Sequence, residues 1–399
     1  MSGVYVHIPF CRTHCTYCGF YSELLRDARG SERFVSALCR EIESVQSSSV
    51  GVSEVTPPTA SRRVPPPAAR GVSGLPTPPH CWNTLYFGGG TPSLLSVEQM
   101  GRIVQALGGG SWDEFTVEVN PDDVVRGGRD YADGLRRLGV NRVSMGIQSF
   151  DDAVLKRMGR RHNSAQAVQA YGVLREAGFG NISLDFIFGF VTGMDSAALG
   201  RALDLLPGGL PEHISCYQLS IEEGSALEKM IRRGIYAMPD DAECERQYYS
   251  LCSLLRDMGY EHYEISNWGR PGFRSRHNSA YWNHTPYAGF GPGAHSLCVE
   301  NLPDGALRHA RRWNNPDLSA YLESAESGDF GPVRGGETLS APQLREERIM
   351  LGLRTSDGVP SALVEGKDRG MLVPSEIPDY LRIPEDRWFI SDNIITDLI

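Results

Sequence analysis

Between Val4 and about Gln218 the sequence alternates short β-type runs with amphipathic stretches, and this rhythm limits the fold more than any other feature of the chain. The candidate strands are VYVHI at 4–8, TLYFGG from Thr84, FTVEVN from Phe115, RVSMGIQ from Arg142, ISLDFIF from Ile182 and HISCYQL from His213. Helical spacing of apolar residues runs over 32–45, 97–107, 131–138, 165–177 and 197–206. Strands separated by helices of this length make parallel βαβ units, and six of them predict an α/β fold, a partial (β/α)6 barrel of the TIM type. In such a barrel the chemistry belongs at the C-terminal ends of the strands.

The segment 47–80 breaks the pattern. It is rich in Pro, Ser and Gly and lacks apolar periodicity, so it is expected to be a disordered insertion between the first helix and the second strand. After Gln218 the rhythm changes: 243–258 reads as one more helix, and 259–295 is dense in aromatics, His and Gly. The predicted organisation is a barrel over 1–240, an extension over 241–330 and a small C-terminal domain of helices and a β-hairpin over 331–399.

The formal net charge of -10 argues against a nucleic-acid partner, which needs a basic face. The first residues, MSGVYVHIPF, have no basic start followed by a long apolar run, and nothing in the chain approaches the length needed to span a bilayer. A cytoplasmic, reducing location is the expectation. There, nine cysteines are metal ligands or core thiols rather than a disulfide framework, and only Cys11, Cys15 and Cys18 are tightly clustered.

Those three form C-x3-C-x2-C directly after the first strand. Soft thiolates at this spacing select zinc or an iron–sulfur cluster. A closed zinc site needs a fourth ligand, for which His7 and His14 are candidates. A cubane held by three thiolates instead leaves one iron open to a ligand.

The stretch YVHIPFCRTHCTYCGF resembles the signature of the radical S-adenosylmethionine superfamily. Within it, HIPFC is similar to the branch that contains oxygen-independent coproporphyrinogen III oxidases and HemW-type haem chaperones. The resemblance implies a [4Fe-4S] cluster on Cys11, Cys15 and Cys18 with S-adenosylmethionine on its open iron. It also implies cofactor-binding roles for Tyr5, for Tyr17 and Phe20 in the cluster loop, and for Gly89, Gly90 and Thr91 of FGGGTPS. Glu118 of VEVNP, Gln148 of GIQSF, Arg160 of RMGRRH and Asp185 of LDFIF complete the implied set. Read without the resemblance, each of these polar residues is more often a cap or a salt-bridge partner, and the glycine run is just a turn.

Two features separate the branches. The oxidases carry another cysteine two residues beyond the third, where this chain has Phe20, and they have a long N-terminal extension, whereas here Cys11 lies ten residues from Met1. HNSAYW at 277–282 resembles the H-N-x-x-Y-W motif of the haem chaperones, and GFGPGAHS follows it. The implied function is binding of haem, with His277 as its ligand and His284 and His295 as rivals, and delivery of that haem to acceptors such as respiratory enzymes. The resemblance leaves room for peripheral membrane association and a homodimer. The alternative is oxidative decarboxylation of coproporphyrinogen III. After Asp185 the family pattern Y-G-L-P-G-Q is replaced by IFGFVTGM, without its Pro and Gln, which weighs against complete radical chemistry. A third alternative is a zinc-stabilised barrel with an unrelated partner.

Overall fold

The computed structural model describes residues 2–50, 82–190, 195–302, 306–367 and 369–399. Six strands follow the predicted runs: β1 (Ser2–Ile8), β2 (Trp82–Gly89), β3 (Glu114–Val119), β4 (Arg142–Gln148), β5 (Ile182–Phe188) and β6 (His213–Gln218). They pair in order, all parallel. Helices α1 (Ala28–Val50), α2 (Val97–Ala106), α3 (Pro121–Leu138), α4 (Ser164–Glu176) and α5 (Ser196–Asp204) connect them. Helix starts are set locally: Ser96 with Gln99, and Asn163 with Gln166, form capping boxes that satisfy otherwise orphaned amide donors.

Two helix limits differ from expectation. α3 begins at Pro121, ten residues before the predicted start, because Pro fits the first helical position; Gly128, at φ +56°, then breaks the helix and hides its period. α1 continues to Val50, past the start expected for the insertion at 47. The remainder of that insertion, 51–80, and part of the degraded loop, 191–194, lie outside the described residues.

The sheet extends beyond the six units. α6 (Asp241–Asp257) leads into β7 (Glu261–Glu264) and β8 (Asn267–Gly269), which add antiparallel to β6. After α7 (Arg276–Trp282) the chain crosses to the other edge. There β9 (Tyr287–Phe290) pairs parallel with β1, and β10 (His295–Asn301), β11 (Leu307–Asn314) and β12 (Arg334–Leu339) continue antiparallel. The result is a 12-stranded sheet in the order β12-β11-β10-β9-β1-β2-β3-β4-β5-β6-β8-β7. β12, inside the range expected for a C-terminal domain, belongs to this sheet, and α8 (Ala341–Gly352) and a separate 3-stranded sheet follow it.

Val4, Val6 and Ile8 of β1 are fully buried, as are Phe87 and Phe115, whose rings lie 5.6 Å apart in the core that the helices cover. Buried Glu41 of α1 ties the extension to the barrel: its carboxylate accepts hydrogen bonds from Gly291 N at 2.9 Å, Asn314 Nδ2 at 2.7 Å and the Tyr321 hydroxyl at 2.6 Å. At the N-terminal end of the strands, Glu114 accepts from the Arg276 and His277 amides at 2.8 and 2.9 Å and from Ser275 Oγ at 3.3 Å. α7 is thereby fixed as the floor of the barrel.

Candidate cofactor cavity

The cysteine loop leaves β1 and is pinned from outside: Thr16 N donates to Met158 O at 3.0 Å, and Leu227 N to Thr16 O at 2.7 Å. Cys11, Cys15 and Cys18 all line one cavity of about 520 Å³ over the strand ends. Cys11 Sγ lies 3.5 Å from Thr91 Oγ1, and Arg160 Nη1 donates to Cys15 Sγ at 3.5 Å. Burial, reinforced by the neighbouring Cys15 and Cys11, pushes the Cys18 thiol up to about 11. Among the described residues, the group of three donors at single-ion spacing, within 4.8 Å of one another, is Cys252, His262 and Glu385 at the C-terminal junction; the loop cysteines do not form one. Their wider spacing suits a larger inorganic body than one zinc ion. His7, the buried candidate for a fourth ligand, has both nitrogens engaged, Nδ1 with the Tyr5 hydroxyl at 3.1 Å and Nε2 with Tyr21 O at 3.1 Å.

The glycine turn at the end of β2 is shaped by close approach. Gly89 sits at φ +106°, and a Cβ there would meet the His7 ring at 2.7 Å; at Gly90 it would meet Phe10 O at 2.6 Å. Thr91 Oγ1 accepts from Asn120 Nδ2 at 3.3 Å. At the end of β4 a register shift between Gly146 and Gln148 coincides with φ +71° at Gln148, a conformation costly for a side chain of this kind and concentrated at functional sites.

Charges in the cavity are placed separately. The Glu118 carboxylate accepts the Tyr86 hydroxyl hydrogen at 2.8 Å, and burial, with Asp185 adding, raises it to about 7. Arg160 donates to Asn120 Oδ1 at 2.6 Å and Gly146 O at 2.5 Å, and its buried Nε has no partner. Asp185 accepts from Ser144 Oγ at 2.8 Å and Ser183 Oγ at 3.0 Å. An unneutralised buried carboxylate and a guanidinium with a free donor fit the ammonium and carboxylate of an amino-acid ligand. The thiolate loop fits iron–sulfur ligation.

Of the residues expected to bind cofactor, Tyr17, Phe20, Gly89, Gly90, Thr91, Glu118, Gln148, Arg160 and Asp185 line the cavity with the cysteines. Tyr5 does not. It stands two positions deeper than His7 on the same face of β1, so its hydroxyl meets His7 and its ring faces Tyr86 at 6.1 Å. Tyr86, Asn120, Arg142, Ser144 and Tyr217 line the cavity without having been expected. A polar residue pointing inward from an otherwise apolar strand is the signal that would have found most of them.

His277, expected to hold haem, does not line the strand-end cavity. It is 2% exposed in the floor, with Nδ1 bonded to Thr84 Oγ1 at 2.8 Å and Nε2 to the Tyr281 hydroxyl at 2.9 Å, and its ring stacks on Tyr86 at 5.0 Å. Burial, then the Arg142 charge, lower its pKa to about 3, so it is neutral.

A curved parallel sheet with a three-cysteine loop at its strand ends and separated charges beyond it defines a radical S-adenosylmethionine barrel. The family model of the radical SAM superfamily matches residues 75–195. The chain is 31% identical over 373 residues to the heme chaperone HemW of Lactococcus lactis, covering 92% of this chain and 85% of that one. It is 33% identical over 372 residues to the heme chaperone HemW of Synechocystis, covering 90% and 79%. The solved structure of coproporphyrinogen III oxidase (HemN) from Escherichia coli matches in fold with a TM-score of 0.72 at 18% identity, covering 99% of this chain and 89% of that one. The chain belongs to the HemW family. Membership of the superfamily implies a [4Fe-4S] cluster and S-adenosylmethionine. Among the described residues no helix is long and apolar enough to cross a membrane.

Proposed function

We propose that this protein is a haem chaperone, which binds haem and hands it to an acceptor haem protein, with the cluster and S-adenosylmethionine in the strand-end cavity. The observation that carries the reading is similarity to relatives named heme chaperone along 92% of the chain, floor helix and sheet extension included. Cys11, Cys15 and Cys18 hold the cluster, and the Gly89–Gly90–Thr91 turn, Glu118, Gln148, Arg160 and Asp185 hold S-adenosylmethionine. A cluster of this kind with S-adenosylmethionine on its open iron supplies one-electron chemistry when both are bound. Arg160 fixes the loop by its bond to Cys15 and orients a ligand carboxylate through its unpartnered Nε. Glu118 receives the ammonium, and that cation draws the carboxyl back to its ionised form. Phe20, 75% exposed at the cavity mouth, stands where the oxidase branch has its additional cysteine, which favours haem handling over porphyrinogen oxidation.

The test is transfer. Anaerobically reconstituted protein is loaded with haem, freed of excess and mixed with an apo haem protein, and the Soret band is followed. The reading expects the band to move to the acceptor's position faster than haem released into buffer can account for. Transfer no faster than spontaneous release contradicts it.

A further inference from the structure

A second cavity, of about 580 Å³, lies in the gap between the two ends of the sheet, with α7 on one side and α8 on another. Tyr217 and Asn278 line both cavities and are the partition between them. We infer that this second cavity is the haem seat and that His295 gives its imidazole nitrogen to the iron, while His277 is a structural residue of the floor. The inference rests on the haem-chaperone reading.

A metalloporphyrin needs flat apolar walls, donors for its carboxylates and a neutral imidazole with a free nitrogen. Trp282 and Tyr287 provide aromatic surface, with Leu297 and Met350 beside them. Trp282 Nε1 has no hydrogen-bond partner and is a free donor for a carboxylate; Arg311 also reaches the cavity, with one guanidinium nitrogen already given to Glu347 at 2.7 Å.

The three candidate imidazoles differ in what their nitrogens do. Both nitrogens of His277 are bonded inside the floor. The His284 side chain is 8% exposed, and its Nε2 is held by Glu347 Oε2 at 2.8 Å. His295 is exposed at the start of β10, lines the cavity and makes no side-chain hydrogen bond to a described residue. Its ring is held only by stacking on Trp313, with centroids 5.9 Å apart and planes 28° apart. Partial burial and the Arg311 charge lower its pKa, which keeps it neutral and able to coordinate a metal.

The placement also accounts for the shared partition. A flat ligand seated against Trp282 would be separated from the S-adenosylmethionine cavity by Tyr217 and Asn278.

The experiment compares ferric haem and metal-free protoporphyrin IX binding to the full-length protein as wild type, His295→Ala, His284→Ala and His277→Gln. His277→Gln keeps a polar group near Thr84. The expected result is that His295→Ala loses the imidazole-ligated Soret signature and at least about tenfold in haem affinity. Metal-free protoporphyrin binding stays at the wild-type level, which shows an intact fold, and added imidazole restores the signature. His277→Gln retains the signature. If wild type binds haem and His295→Ala is indistinguishable from it, or the signature is lost in His284→Ala or His277→Gln instead, the assignment is overturned while the chaperone reading stands. If wild type itself binds no haem, both fall.

Discussion

The strand-end cavity draws its side chains from consecutive parallel strands and the loops that follow them, whereas the second cavity is assembled from the floor helix, the antiparallel flank and the C-terminal helix. In the first, polar groups are bound to one another before any ligand arrives: Arg160 to Asn120, Asn120 to Thr91, Thr91 to Cys11. In the second, His284 and Arg311 are both bonded to Glu347, while the exposed His295 imidazole rests on an aromatic ring without a hydrogen bond to a described residue. On the proposed reading, the difference separates a site organised to orient one small zwitterion from a site that takes and releases a large flat ligand.

The sharpest way to break this comparison is to remove one cavity's chemistry and read the other. Cys15→Ala should abolish the brown cluster, with iron and sulfide falling to background after reconstitution, while haem binding at the second cavity survives. Loss of both together would show a single site.

Next in size is Arg160→Met. Hydrogen bonds to a charged group are worth about 1.5–3 kcal/mol each, so S-adenosylmethionine affinity measured by calorimetry should fall at least about tenfold. An unchanged affinity would remove Arg160 from the binding set.

Glu114→Gln tests the floor. This buried carboxylate accepts three hydrogen bonds from the start of α7 and faces the buried Arg142 charge. Loss of its charge should cost about 3 kcal/mol in denaturant unfolding, and a cost below about 1 kcal/mol would mean that the floor is held elsewhere.

The effect smallest at any one pH step is a pH dependence shared by the two cavities. Burial raises Glu118 to about 7 and Glu264, which lines the second cavity, to about 8. Each keeps its proton in the folded chain at pH values where the unfolded chain has lost it. Their contribution therefore makes stability fall as pH rises from about 5 towards 7 for Glu118 and towards 8 for Glu264, by up to about 1.4 kcal/mol per pH unit each. Glu264→Gln should flatten the curve between pH 7 and 8, and Glu118→Gln only below pH 7. Unfolding curves at successive pH values that keep the wild-type slope in both variants would refute the assignment.

The cavity nearest the strands was also the more legible in sequence. Cysteine spacing, a glycine turn and polar residues at successive strand ends are local signals, and all but one of the residues they singled out for cluster or cofactor line it. Tyr86, Ser144 and Arg142 were missed because a single inward polar residue in a buried strand carries no periodicity of its own. Tyr5, near the cluster loop in sequence, does not line the cavity because the two-residue step along the strand puts it beneath His7. The antiparallel flank escaped because β9 and β12 are interrupted by glycines, because β11 (LRHARRWN) is too basic to read as a half-buried strand, and because β9 pairs with β1 across more than 280 residues. The motif HNSAYW was recognisable, but the burial of its histidine depends on Glu114 and Thr84, which no local reading joins to it.

The central claim, that the chain handles haem rather than oxidising a porphyrinogen, is tested most directly by one anaerobic assay. Reconstituted protein with S-adenosylmethionine and reductant is offered haem and, in parallel, coproporphyrinogen III, with the Soret band and the porphyrin and nucleoside products followed together. The account predicts haem bound at one per chain and no protoporphyrinogen. Absence of haem binding, with protoporphyrinogen and 5′-deoxyadenosine formed together, would contradict it.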